Sequence, residues 1–128
     1  KIHQKSKELH ETIKVYKHIL SNTIDSHILQ EYIKLLIQIG NFKDAIEYIY
    51  KLLKLENNVS IQHLSDMALC HIHLNAYIKA YIIYSIIEQS CSLNKEQNSN
   101  YLLCKNRIHQ KRILSSTKQL SKQIKNTA

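Results

Sequence analysis

Apolar residues recur every three or four positions along most of this chain, and short polar breaks interrupt them. That spacing puts one side of each stretch on a single helical face. Leu9, Ile13, Tyr16 and Leu20 predict a helix over Ser6–Leu20, ended by Ser21-Asn22-Thr23. Leu29, Ile33, Leu36 and Ile37 predict a second over Ser26–Ile39, with Asp25 or Ser26 as N-cap. Phe42, Ala45, Ile46, Ile49 and Leu52-Leu53 predict a third over Phe42–Leu55, closed by Glu56-Asn57-Asn58. Leu64, Met67, Ala68 and His71 share a face of a fourth, over Ile61–Leu74, with Ser60 as its cap. A fifth begins after Asn75 and reaches Ser90, lined by Tyr77, Ala80, Tyr81, Tyr84 and Ile87. Beyond Cys91 the pattern weakens. Tyr101, Cys104 and Ile108 keep helical spacing, as do Leu120 and Ile124, in one end helix or two shorter ones with a frayed tail after Lys125.

The punctuation agrees with an all-α fold. Proline is absent and Gly40 is the single glycine, so strand-turn chemistry is nearly missing. Gly40 stands where a left-handed C-cap is needed, Asn41 can cap the next helix, and Asp44 suits its first turn. The result is a helical hairpin. Its register recurs. Ala45 and Ala80 lie 35 residues apart, and Thr12 lies 33 before Ala45. Tyr16, Ile49 and Tyr84 each follow these small residues by four positions; Ile19, Leu52 and Ile87 follow by seven. Self-similarity at this period marks stacked helical hairpins, whose helices approach most closely at small residues such as Ala45, Ala68 and Ala80.

These residues resemble the tetratricopeptide repeat family. The resemblance covers residues 1–94, with a partial first repeat followed by repeats over about 26–59 and 61–94, leaving 95–128 as a basic helical extension that solvates the end. It implies a right-handed solenoid of hairpins and a non-enzymatic protein-binding scaffold. Asn57 and Ser92 replace the family's usual proline, and Leu29 or Leu64 its early aromatic. Leu64-Ser65-Asp66-Met67-Ala68-Leu69-Cys70-His71 and Tyr77-Ile78-Lys79-Ala80-Tyr81 are also similar to a repeat in a cytosolic scaffold subunit of an endoplasmic-reticulum membrane-protein insertase. Glu11 to Leu20 fits that repeat order. The basic end has no visible counterpart there, and a characteristic tryptophan is missing. This resemblance implies a cytoplasmic protein, peripheral on the cytosolic face of that membrane, holding a helical or apolar segment of a complex subunit.

In such a fold the binding surface is the concave face of the first helices. Here it comprises Glu31, Lys34, Ile37, Asp66, Leu69, Ile72 and His73. Family members that clamp chaperone tails use Lys and Asn on this face. Among His27, Gln30, Glu31, Lys34, Ile37, Gln62, Ser65, Asp66, Leu69 and Ile72 only Lys34 fits, which disfavours a tail clamp and favours a helix or apolar segment.

Charge adds a second feature. The chain carries a formal net charge of +8, and residues 93–128 hold eight Lys/Arg against Glu96 alone. Lys105, Arg107, Lys111, Arg112, Lys118, Lys122 and Lys125 make a basic segment that suits an anionic membrane surface or an acidic subunit. Only two of the cations are arginine and Tyr101 is the one nearby aromatic, which argues against base readout. A cochaperone or adaptor module from a larger protein, and a nucleic-acid-associated helical repeat using the basic segment, stay open as alternatives.

Little points to catalysis. The acids are isolated, no nucleophile–base signature exists, and one glycine cannot build a phosphate loop. No catalytic residue, metal site or cofactor is expected. Cys70-His71 and His73 splay around a helix, and His3, His10 and His18 lack carboxylate partners on their faces. Cys70, Cys91 and Cys104 show no Cys-x-x-Cys spacing and read as buried or half-buried thiols in a reducing compartment. Tyr16, Tyr32, Tyr48, Tyr50, Tyr77, Tyr81 and Tyr84 read as core rings with wet hydroxyls, with Tyr48 and Tyr81 the candidates for partner anchors. No apolar run approaches the length of a membrane span and no leader is visible, while the start at Lys1 rather than Met suggests a piece of a longer protein.

Overall fold

The computed structural model describes residues 2–23, 25–57 and 60–127, with side chains between Lys7 and Asn126. Lys1, Asn58, Val59 and the side chain of His3 lie outside the described residues. Six α-helices follow in order: α1 (Ile2–Asn22), α2 (Ser26–Ile39), α3 (Phe42–Glu56), α4 (Ile61–His73), α5 (Tyr77–Ser90) and α6 (Lys95–Thr127). No strand occurs among the described residues. The chain divides into two compact units, Lys1–His63 and Leu64–Ala128.

Several boundaries differ from the sequence reading: α1 begins at Ile2 rather than Ser6, α3 ends at Glu56 rather than Leu55 and α4 at His73 rather than Leu74, and two further differences concern the end of α1 and the basic end. Ser21 and Asn22 continue α1 rather than breaking it, because the Ser21 hydroxyl folds back to donate to the His18 carbonyl at 2.7 Å. That bond keeps a polar residue compatible with the last helical turn. The basic end is one unbroken helix through Thr127, with neither an internal break nor fraying at Lys125. Within it no glycine or proline interrupts the backbone, and Thr117 also bonds backward, to the Ile113 carbonyl at 2.9 Å.

In the first unit, α2 and α3 pack as a hairpin, with α1 against α2. The Asp25 side chain caps α2 by accepting from the His27 amide at 2.8 Å. At its other end Gly40 takes φ 85°, its amide donates to Ile37, and the Asn41 amide donates to Leu36. This pair of bonds is a Schellman stop, and it turns the chain directly into α3. Asn41 then caps α3 by accepting from the Asp44 amide. The core holds Leu29, Tyr32, Ile33 and Leu36 from α2 with Ala45, Ile49 and Leu52 from α3. One tyrosine from each helix joins a ladder: Tyr16 stacks on Tyr32 at 5.6 Å, and Tyr48 meets Tyr32 edge-on at 4.8 Å. Glu56 ties the open end, taking hydrogen bonds from Gln30 at 2.9 Å and from His63 at 3.3 Å.

In the second unit, α4 ends in the same type of stop. Asn75, at φ 60°, donates to Ile72, and Ala76 donates to His71. The core holds Met67, Ala68, Cys70 and His71 from α4, Ala80, Ile83, Tyr84 and Ile87 from α5, and Cys104 from α6. The α5–α6 contact centres on Tyr101, which stacks on Tyr81 at 5.2 Å and shares a 3.1 Å hydrogen bond with Ser85. Asn94 and Gln97 form a reciprocal capping box at the start of α6, at 2.8 and 2.9 Å. Gln97 also donates to Ser65 at 3.2 Å, which links α6 to α4.

Candidate functional site

The seven residues expected on a concave face fall in both units. On α2, Glu31 and Lys34 are exposed and Ile37 is half-buried. Glu31 is held by His27 at 3.2 Å and by the Tyr16 hydroxyl at 3.4 Å. Burial and the Glu31 charge together push the Tyr16 pKa upward. On α4, Asp66, Leu69 and Ile72 are half-buried and His73 is exposed. Asp66 contributes to raising the Cys70 thiol, which burial chiefly pushes up to about 12.

The tyrosine ladder alters the reading of the aromatic residues. Tyr48 and Tyr81 are half-buried, and each spends a ring face on another tyrosine. Tyr50, at 53% exposure, is the outward-facing ring of that set. The Tyr32 hydroxyl is not wet. It is enclosed and makes no regular hydrogen bond. Its burial, reinforced by Tyr48 and Asp44, drives its pKa up to about 12. The thiols divide similarly against expectation: Cys70 and Cys104 are buried, while Cys91 is exposed in the turn after α5. No group of three or more His, Cys, Asp or Glu among the described residues is placed to hold a metal ion.

The basic segment is split by its neighbours. Lys105, Arg107, Lys111 and Arg112 line a groove of about 870 Å³ between the first half of α5 and the middle of α6. Lys118, Lys122 and Lys125 lie beyond it on the exposed distal half of α6. Lys105 sits over the Tyr101 ring at 4.2 Å, and Arg107 over Tyr77 at 5.9 Å. These cation–π contacts orient long, otherwise mobile side chains beside the groove.

From α5 the groove receives Lys79 and two residues the periodicity did not single out, Ile78 and Ile82. They are 57% and 51% exposed, and Ile86 extends the stripe at 46%. The signal was present in the sequence. Helix α5 carries apolar residues on every side, and such a helix either lies fully buried or presents a face to something else. Here one side, through Ala80, Tyr84 and Ile87, is buried, and the other is not.

The chain matches no protein-family model, and no curated protein is significantly similar to it.

Proposed function

We propose that this chain is a non-enzymatic scaffold of tetratricopeptide type, a right-handed stack of helical hairpins that captures a segment of another protein. One observation carries the reading. Ala45 and Ala80 are both fully buried, and so are the residues four and seven positions after each: Ile49 and Tyr84, then Leu52 and Ile87. A fixed small–large–large register buried twice at a 35-residue spacing is what repeated hairpins require. Thr12, the third member of the series, is exposed and bonds to the Glu8 carbonyl, in keeping with a partial first repeat.

The most specific form of the proposal is that the chain is related to subunit 2 of the endoplasmic reticulum membrane protein complex, working at the cytosolic face of that membrane. The warrant is the sequence likeness around Leu64–His71 and Tyr77–Tyr81. No helix of the described residues is long and apolar enough to cross a membrane, so a peripheral role is compatible with this structure.

Purification of the tagged chain from its native cell tests both levels. Recovery of membrane-embedded insertase subunits in stable ratio is the expected result. Recovery of soluble chaperones alone would favour the adaptor alternative, and RNA released by salt would favour the nucleic-acid one. Lys34→Ala with Leu69→Ala should abolish capture while the helical circular dichroism is kept. Unchanged capture by that folded variant would overturn the concave-face placement.

A further inference from the structure

We propose that the α5–α6 groove is a second docking site, and that its occupant is an acidic amphipathic helix of a partner protein. The lining supplies both halves of such a recognition surface. Ile78, Ile82 and Ile108 give its lining an apolar part, and Lys79, Lys105 and Arg112 are among the cations that share it. No carboxylate belongs to the lining, so the groove does not neutralise its own charge. A ligand that buries isoleucine and also answers several cations must carry apolar and anionic groups side by side. An amphipathic helix with Asp or Glu bordering an aliphatic stripe has that arrangement.

Dimensions agree. The lining on α6 runs from Lys105 to Ser115, and the ten helical steps between them rise about 15 Å, or nearly three turns. A helix laid along it would place two or three stripe residues over Ile78 and Ile82. Single-stranded nucleic acid binds chiefly through phosphate contacts and open aromatic faces. Tyr81 already stacks on Tyr101, and Arg107 already covers Tyr77, so those faces are partly used.

This site is separate from the concave-face positions, and its test separates the two. The probe is a fluorescent synthetic helix with a leucine stripe bordered by glutamates, titrated with the whole chain and followed by anisotropy. Wild type and the Lys34→Ala/Leu69→Ala variant should bind it equally. Ile78→Ser with Ile82→Ser should weaken binding about tenfold or more, since the stripe of the bound helix would lose the apolar surface it covers. Both positions are more than half exposed, so the fold should survive the change. Lys105→Glu with Arg112→Glu should lose the acidic helix and gain its lysine-substituted counterpart. Three results would each overturn the proposal: no binding by wild type, equal binding of a stripe-less acidic peptide, or preference for phosphatidylserine vesicles or oligo-uridine RNA with indifference to the isoleucine pair.

Discussion

Gly40 and Asn75 stand 35 positions apart and end their helices in one left-handed conformation, at φ 85° and φ 60°. The bonds around them correspond as well. Gly40 and Asn41 donate to Ile37 and Leu36; Asn75 and Ala76 donate to Ile72 and His71. Two unlike residues thus make the same helix stop. Glycine enters this region without penalty, and asparagine is the residue that most readily replaces it.

Exchanging the two turns should therefore move stability in opposite directions. A Cβ at Gly40 would meet Phe42 at 3.9 Å, an ordinary contact, so Gly40→Ala suffers only the backbone cost of about 1–2 kcal/mol. Asn75→Gly should gain a few tenths to about 1 kcal/mol. Thermal unfolding should show a fall of roughly 3–8 °C for the first and a smaller rise for the second. A loss in Asn75→Gly would mean that its side chain does more than occupy the turn; the 3.1 Å bond from the Tyr77 hydroxyl to Asn75 is the contact to examine.

Tyr32 should make the protein sensitive to alkali. Its hydroxyl is enclosed and its pKa is raised to about 12 from 10.0, so the folded state holds a proton that the unfolded chain releases earlier. Stability from this group is complete below pH 10 and is lost as pH climbs through the folded value. Tyr32→Phe removes a buried polar group without regular partners, and should leave stability at pH 7 unchanged or higher. Urea midpoints at pH 7 and pH 10.5 compare the two. The variant's decline between them should be shallower than that of wild type; an equal decline would remove Tyr32 as its source.

His71 should act on the acid side. It is 7% exposed, its Nδ1 has no hydrogen-bond partner, and burial, helped by Lys79, lowers its pKa from 6.5. A depressed histidine pKa means that the unfolded chain takes up the proton first. Its contribution is present above pH 6.5 and is lost as pH falls below that value. His71→Leu should flatten the pH dependence of the urea midpoint between pH 7 and pH 5. NMR titration of the imidazole checks the same point directly, with a midpoint below 6.5 expected.

Much of this architecture was legible residue by residue. The four-residue spacing of Ala45 and Ile49, the cap at Asp25 and the stop at Gly40 all act within a few positions of chain. The all-α fold and the bounds of α2 follow from such local physics. The Asn94–Gln97 box obeys the same logic and carries a readable Asn-x-x-Gln pattern. Its influence reaches only the first turn of α6, whose long polar remainder looks like a tail.

Other features are not written in local spacing. Tyr32 and Tyr48 share a residue type and a helical setting, yet only Tyr32 has neighbours from helices on two sides and loses its hydroxyl to the interior. Cys91 and Cys104 differ for the same reason: one falls in a turn and the other beneath a helix contact.

By itself, then, the sequence determined the helical segments up to Ser90, the caps at Asp25 and Asn41 with the stop at Gly40, the 35-residue register of Ala45 and Ala80, and the concentration of positive charge after residue 93. Only tertiary structure decided which side of α5 is covered, and that the basic segment divides at Arg112 into a part beside Ile78 and Ile82 and a part on the exposed distal helix. Helix formation depends on neighbours one to four residues away, so a pattern can announce it. A groove depends on two helices meeting across an intervening turn, where residues 78 and 108 become neighbours without any spacing rule to join them.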